Sequence, residues 1–161
     1  VGFVDKTDSR NFVSISRNKS GGIFIGDSYG SIYQKVGWKF LLIDKPTREH
    51  PAFILYDSIR KLNYSVNDGV KIGDKYVDFP LSSNFIRILD KKYLAVGINQ
   101  LYLFDLDTKK RISRIPIEKR LNDVTDYYGK YYVASEVGLF RMDDFSDEKF
   151  GRIMLDYKYS V

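Results

Sequence analysis

The stretch LNDVTDYYGKYYVASEVGLFRMDD, Leu121 to Asp144, decides the fold because its pattern recurs along the chain. Short β-branched and aromatic runs alternate in it with tight turns that contain glycine, a pattern typical of an antiparallel meander. We expect strands at Val124–Tyr128, Tyr131–Ser135 and Leu139–Met142. The turns between them are expected at Gly129-Lys130 and at Glu136–Gly138.

The same pattern occurs three more times upstream, as FVSISRNKSGGIFIGDSYGSIYQK, FILYDSIRKLNYSVNDGVKIGDK and FIRILDKKYLAVGINQLYLFDLD. The copies follow one another at roughly 30 to 40 residues, close to the ~40 residues of a four-stranded propeller blade. The sequence therefore predicts an all-β fold of about four four-stranded antiparallel β-propeller blades. Their expected limits are residues 10–44, 52–80, 84–117 and 122–158. A β-sandwich or jelly roll is the alternative, since it also has short, regularly spaced strands.

The length of 161 residues fits a single domain, residues 1–161. Propellers have roughly four to eight blades, so four blades make either a small complete ring or a segment of a larger one. We favour the interpretation that the chain is a segment of a larger ring. Other propeller blades or a second subunit would then cover the strands at its two ends.

The phrase GGIFIGDSYGSIYQKVGWKFLLI, Gly21 to Ile43, resembles the two-component regulator propeller repeat. Its fitting residues are Gly22, Ile23, Phe24, Ile25, Gly26 and Gly30. Phe24, Asp27 and Ser31 stand where that family usually has Trp, Thr and a second Gly. The last copy matches similarly at Tyr132, Val133, Ala134, Ser135, Gly138, Leu139 and Arg141. The copy at 85–117 fits only a generic propeller repeat, and the copy at 53–79 fits poorly.

This resemblance implies a sensory, non-catalytic propeller segment of a bacterial two-component regulator, with a periplasmic or extracellular location. Propellers of that family precede a membrane helix and a kinase. The alternative function is an intracellular protein-interaction scaffold that takes no small ligand. A propeller-based glycan lyase or hydrolase is disfavoured, because the chain shows no recognisable pair of catalytic carboxylates.

Composition narrows the chemistry further. The chain has no cysteine and one histidine, His50, so we expect no metal site, no cofactor and no catalytic residues. The net charge of +5 is concentrated in one basic segment, Lys109 to Arg120. We expect this segment to be a solvated outer edge of a blade, with Ile112, Ile115 and Ile117 pointing inward, rather than a nucleic-acid site. No apolar run is long enough to span a membrane.

Polar residues recur just after the second strand of each copy. They are Asp27, Ser28, Tyr29, Asn67, Asp68, Asn99, Gln100 and Glu136. If the blades are in register, these residues gather at one mouth of the ring and suit a carbohydrate or another polar ligand. Trp38 is a further candidate, as an aromatic platform for a sugar. The simpler interpretation is that hairpin turns are polar because they face water.

The second strands supply the expected core. The predicted buried residues are Phe24, Ile25, Leu94, Val96, Tyr132 and Val133.

Overall fold

The computed structural model describes residues 11–46, 50–78, 82–117, 119–145 and 151–153. Within these ranges the chain is all-β, with sixteen strands in four sheets of four antiparallel strands each. In every sheet the strands lie side by side in chain order, as in the blades of a propeller. The predicted fold class is confirmed. No helix in the described part of the chain is long and apolar enough to cross a membrane.

Each blade is a meander of four strands. Blade one contains β1 (Phe12–Arg17), β2 (Ile23–Asp27), β3 (Ile32–Val36) and β4 (Lys39–Asp44). Blade two contains β5 (Phe53–Asp57), β6 (Leu62–Val66), β7 (Val70–Ile72) and β8 (Lys75–Asp78). Blade three contains β9 (Phe85–Leu89), β10 (Tyr93–Gly97), β11 (Gln100–Asp105) and β12 (Lys110–Pro116). Blade four contains β13 (Leu121–Tyr127), β14 (Lys130–Ser135), β15 (Gly138–Met142) and β16 (Gly151–Ile153). The predicted limits at residues 10, 80 and 158 lie outside the described residues.

Four predicted turns differ from the structure. The β13–β14 turn lies at Tyr128-Gly129 rather than Gly129-Lys130, because both of its central residues take positive φ, 49° and 70°, as a two-residue hairpin loop requires. Gln100 and Gly138 were expected in turns, but they begin β11 and β15. The sequence Asn67-Asp68-Gly69 favours a hairpin turn with positive φ, but none of these three residues takes positive φ.

The chain divides into two compact units, residues 1–86 and 87–161, and the division falls within β9. The first unit holds blades one and two. The second holds blade four and the rest of blade three. Each unit therefore contains one junction between consecutive blades.

The junction in the first unit is built around a glycine. The carbonyl oxygen of Asp27, which ends β2, accepts the backbone N–H of Ala52 at 2.9 Å. A Cβ on Gly26 would overlap the carbonyl oxygen of Ala52, so only glycine allows this approach. The hydroxyl of Ser14 donates to that same Ala52 carbonyl at 2.9 Å and accepts the Ile54 N–H at 3.2 Å. These hydrogen bonds attach the backbone of blade two directly to β1 and β2 of blade one.

The junction in the second unit repeats this arrangement. The carbonyl of Ile98, directly after Gly97 at the end of β10, accepts the backbone N–H of Leu121 at 2.6 Å. Side chains add two further links between blades three and four. Arg87 pairs with Asp123 at 2.8 Å, and the Tyr131 hydroxyl donates to the carboxylate of Asp90. Burial, and then that hydrogen bond to Asp90, raise the pKa of Tyr131.

Every blade has two sheet faces, which these junctions distinguish. We call forward the face that carries Phe24, Gly26 and Ile32 in blade one, and rear the face that carries Ile15 and Ile25. The forward face of blade one packs against blade two, where Phe24 and Ile32 form a buried cluster with Ala52 and Ile54. Since cross-strand partners lie on one face, the strand register identifies the equivalent faces of the other blades.

The predicted core is confirmed at five of its six positions. Phe24, Ile25, Leu94, Val96 and Val133 are buried. Tyr132 is only partly buried, because it lies on the forward face of blade four, pairing with Arg141 on β15. The sequence pattern that predicted these six residues identifies strands, and it does not tell which sheet face is covered.

Phe24→Ala should lower the free energy of unfolding by about 3–5 kcal/mol, because it empties the cluster that joins blades one and two. Urea denaturation measures the change. The control is Ile59→Ala, since Ile59 is exposed in the β5–β6 turn and its truncation should change stability by less than about 0.5 kcal/mol. Equal losses for the two variants would contradict the packing described here.

Gly26→Ala tests the close approach of the Ala52 backbone. We expect a loss of about 2–3 kcal/mol or more, since the new methyl group would overlap a backbone oxygen. Gly37→Ala is the matched control: Gly37 has a φ of 59° and open space around it. Its cost should be the conformational strain alone, about 1–2 kcal/mol. A smaller loss at Gly26 than at Gly37 would refute the steric argument.

Candidate functional site

The β2–β3 turn, residues 27–31, contains two of the predicted binding residues, and they play different parts. Asp27 is fully buried. One of its carboxylate oxygens accepts the backbone N–H groups of Tyr29 and Ser31 at 2.9 and 2.8 Å. The other oxygen accepts the hydroxyl of Tyr33 at 3.1 Å. The Asp27 side chain therefore holds the turn in place from inside.

Tyr29 is the residue that this turn presents to the surrounding solution, with 38% of its area exposed. The turn is supported from behind by the β4–β5 connector. A Cβ on Gly30 would overlap Pro46 and the carbonyl of His50, so the connector lies directly against the turn. Gly30 also has a φ of 92°, which a residue with a side chain rarely adopts. The Tyr29 ring is thus carried by a turn that is fixed on two sides.

Asn67 and Asp68 belong to the β6–β7 turn of the same unit. Asn67 is buried, and its amide donates to the Gly30 carbonyl at 3.3 Å and to the Asp44 carboxylate at 3.1 Å. Its side chain therefore bridges blades one and two. Asp68 is partly exposed, and its backbone N–H donates to the Asn67 side chain at 2.8 Å.

A partly buried ion pair lies beside this bridge. The ammonium of Lys71 donates to the Asp44 carboxylate and lies 4.4 Å from the centre of the Tyr76 ring. Burial opposes the charge of Lys71, but the hydrogen bond to Asp44 outweighs it and the pKa of Lys71 is raised. The lysine is therefore a fixed cation that joins the outer parts of the two blades.

Asn99 and Gln100 lie in the second unit. Asn99 is exposed in the β10–β11 turn, and its carbonyl accepts the Ile117 N–H at 3.1 Å. The side-chain oxygen of Gln100 accepts the Tyr102 hydroxyl at 3.0 Å and the guanidinium of Arg114. Glu136, exposed in the β14–β15 turn, donates its backbone N–H to Arg120 at 3.0 Å. The predicted convergence of these residues with Asp27 and Tyr29 stays a prediction.

Trp38 occupies the turn at the opposite end of β3 from Tyr29. Its side chain is 99% exposed, and the ammonium of Lys35 lies 5.8 Å from the ring centre. Because β3 separates the two aromatic residues, Trp38 and Tyr29 do not form one binding platform.

The basic segment forms β12, an outer strand of blade three. Lys110, Arg111 and Arg114 are exposed on it, and the two guanidinium groups each lie 6.0 Å from the Tyr102 ring centre. Ile115 is buried as expected, and Ile117 is partly buried. Ile112 is 48% exposed, so the expectation that it points inward was wrong. The register shift between Leu103 and Phe104 on the neighbouring strand displaces the alternation at this end of β12.

Sequence reasoning missed a set of carboxylates that end strands and hold turns, as Asp27 does. Asp57 accepts the N–H groups of Ile59 and Arg60 at 2.7 and 3.1 Å, and its second oxygen accepts the Tyr64 hydroxyl at 2.9 Å. Asp105 accepts the N–H groups of Asp107 and Thr108 at 3.1 and 2.7 Å. A detectable signal was present: an aspartate ends the strand in each case, and a tyrosine follows Asp27 and Asp57 six or seven residues later.

The described residues hold no group of three or more His, Cys, Asp or Glu side chains that could bind a metal ion. Two further acidic residues, Asp147 and Glu148, lie outside the described residues. Asp143, directly after β15, pairs with Lys130 at 3.2 Å and with Arg141 at 3.4 Å.

No family model matches the chain, and no curated protein matches it at a significant level. Among solved structures, the chain is similar to the computationally designed Ika4 protein, with a TM-score of 0.64 and 9% sequence identity. The similarity covers 85% of this chain and 93% of that chain. At such low identity the likeness shows the fold alone.

Stability should depend on pH through Asp57. Burial alone would raise its pKa, but the hydrogen bonds from Arg60, Ile59 and Tyr64 outweigh burial and lower it from 3.8. A carboxyl group whose pKa is lowered by folding stabilises the native state above the unfolded pKa, and this contribution disappears as pH falls through the folded pKa. Asp57→Asn should therefore cost about 1–3 kcal/mol at pH 7, and distinctly less near pH 3.

Urea denaturation of both proteins at the two pH values measures this difference. Asp74→Asn is the matched control, because Asp74 is an exposed aspartate in the same unit, in the β7–β8 turn. Its effect should be small at both pH values. An Asp57→Asn penalty that is the same at pH 3 and pH 7 would show that the charge of Asp57 contributes nothing.

Proposed function

We propose that this chain is a non-catalytic ligand-binding segment in the sensory region of a bacterial two-component regulator, located in the periplasm or outside the cell. The basis for the regulator is the repeat resemblance at Gly21–Ile43 and Tyr132–Arg141. The observation that carries the binding role is the β2–β3 turn. A fully buried carboxylate, Asp27, fixes the backbone of this turn and leaves the Tyr29 ring exposed on it.

The chemistry of the turn favours a neutral polar ligand, such as a carbohydrate. Tyr29 offers an apolar ring with a hydroxyl group at its end, a combination that suits molecules with both apolar and hydrogen-bonding surfaces. The carboxylate of Asp27 is enclosed and already bonded to three donors, so it supplies no exposed charge. A turn that is already ordered loses little conformational entropy when a ligand binds, which favours affinity.

Tyr29→Ala should weaken ligand binding by about 2 kcal/mol, or roughly 30-fold in Kd, as removal of a central aromatic contact typically does. Titration calorimetry with a panel of neutral oligosaccharides measures the affinity. Stability should fall less than for a core residue, because 38% of the Tyr29 area is exposed. Asp27→Ala is less informative, since it would also disorder the turn.

Tyr128→Ala is the matched control. Tyr128 is 86% exposed at the β13–β14 turn, so its removal should leave the affinity unchanged. Gln100→Ala tests whether the second unit contributes to the same ligand. Binding that survives Tyr29→Ala with unchanged affinity would place the ligand elsewhere.

The second candidate is a protein-interaction scaffold, and Trp38 is the observation that favours it. A fully exposed tryptophan is uncommon on a surface that binds nothing, and tryptophan is enriched among the residues that dominate protein interfaces. Trp38 is the only tryptophan, so its fluorescence reports on this turn alone. A blue shift of the Trp38 fluorescence on adding a protein partner would support the scaffold if it persists in Tyr29→Ala. A blue shift caused by an oligosaccharide would instead place the sugar at Trp38.

A further inference from the structure

On the rear face of blade one, Ile25 and Tyr33 are buried, but the inner strand β1 is exposed, whereas the inner strands of blades two and four are covered on this face. Ile15, Ile54 and Val124 are equivalent, because each pairs with the same position of the second strand, namely Ile25, Ser65 and Val133. Ile54 is 5% exposed and Val124 is 2% exposed. Ile15 is 73% exposed. Ile15 is therefore exposed at a position where the equivalent residues of blades two and four are covered.

The start of each inner strand shows the same contrast. Phe12, Ala52 and Leu121 occupy equivalent positions at the start of the inner strand. Ala52 and Leu121 are fully buried, and each donates its N–H to the preceding blade. Phe12 is half-exposed. In the two junctions that the structure describes, this position makes the contact with the blade before it.

The rear face of blade one also has the shape and chemistry of a docking surface. It contains a groove of about 510 Å³, lined by Phe12, Val13, Ser14, Ile15, Ile25 and Phe40. Five of these six side chains are apolar. Leu42, half-exposed on β4, extends the apolar surface next to the groove.

The forward face of blade four is the complementary surface. Its residues Tyr132, Ala134 and Leu139 are each only partly buried. Their equivalents in blade one are Phe24, Gly26 and Ile32, and in blade three Ala95, Gly97 and Leu101. All six of these equivalents are buried. They belong to blades one and three, and each of these blades is followed by another blade within its unit.

We propose that the rear face of blade one docks the forward face of blade four of a second copy of this chain. The two surfaces belong to one sequence and have the composition of the two sides of a blade junction, so a second copy supplies the missing half. The contact is heterologous, since different patches of the two copies meet. It is a contact between sheet faces and does not depend on hydrogen bonding between strand edges.

The described junctions specify the contacts. Ile54 packs with Phe24 and Ile32 in the first unit, so Ile15 of one copy packs against Tyr132 and Leu139 of the other. Ala134 occupies the position of Gly26 and Gly97 and adds a methyl group there, so the two backbones lie further apart at this contact than at the junction in the first unit.

The first test is the mass of the full chain in solution across a range of concentrations, by light scattering or sedimentation. We expect concentration-dependent association above the 18.8 kDa of one chain. Ile15→Glu should abolish it, because the carboxylate would be buried without a partner. Leu139→Arg, on the opposite surface, should abolish it as well. Ile59→Glu is the matched control, the same substitution at an exposed turn outside both faces, and it should associate like the wild type.

The second test uses the absence of cysteine from the chain. One copy carries Ile15→Cys and a differently tagged copy carries Tyr132→Cys. Mild oxidation of the mixture should give a disulfide between the two tags. The pair Ile59→Cys and Tyr132→Cys should give none. This cross-link identifies the occupant of the groove.

Three results would overturn the proposal. The first is a wild-type protein that stays at the mass of one chain at all concentrations. The reactivity of the thiol in Ile15→Cys would then show whether the face is open to solvent or covered by the same chain. The second is association that persists in both Ile15→Glu and Leu139→Arg. The third is cross-linking only between two Ile15→Cys copies, which would mean that like faces meet.

Discussion

The rest of the structure depends on the close approach of one blade's backbone to the last residues of the previous blade's second strand. In both units a carbonyl at this place accepts the N–H of the next blade, from Ala52 to Asp27 and from Leu121 to Ile98. A glycine precedes that carbonyl in each case, and in the first unit any side chain there would overlap the incoming backbone. This single contact sets the distance between blades. It therefore determines which side chains, such as Phe24 and Ile54, meet in the core.

The same contact explains why a charged residue is buried at the end of β2. The Asp27 carbonyl serves the blade junction, and its carboxylate serves the turn that follows. A buried carboxylate is costly unless donors surround it, and here two backbone N–H groups and the Tyr33 hydroxyl do so. One residue thus couples blade packing to the conformation of an exposed turn. Side chains on that turn, Tyr29 above all, are left available for recognition.

Much of the fold could be predicted from the sequence, because a period of two and regular turns are local properties. The repeat located all four blades, and the glycines at 26 and 30 marked real constraints. What the sequence did not reveal are relations between strands. The burial of Asp27 depends on Tyr33, and the exposure of Ile112 depends on a register shift in the neighbouring strand. Alternation predicts that Ile15 and Tyr132 share the pattern of core residues, but only the blade order decides whether a face is covered.

Because the chain repeats one unit, the exposure of a residue on a blade face can be compared with that of its equivalents in the other blades. A domain without repeats does not allow this comparison. An exposed isoleucine on an ordinary surface means little, because more than half of most protein surfaces is apolar. Ile15 is different, since two equivalent residues in the same chain, Ile54 and Val124, show what covers that position. The turns permit the same comparison: Asp57 repeats the buried, bonded arrangement of Asp27, which identifies both aspartates as parts of the scaffold. Residues that break the equivalence, rather than those that repeat, are therefore the ones to test for binding and assembly.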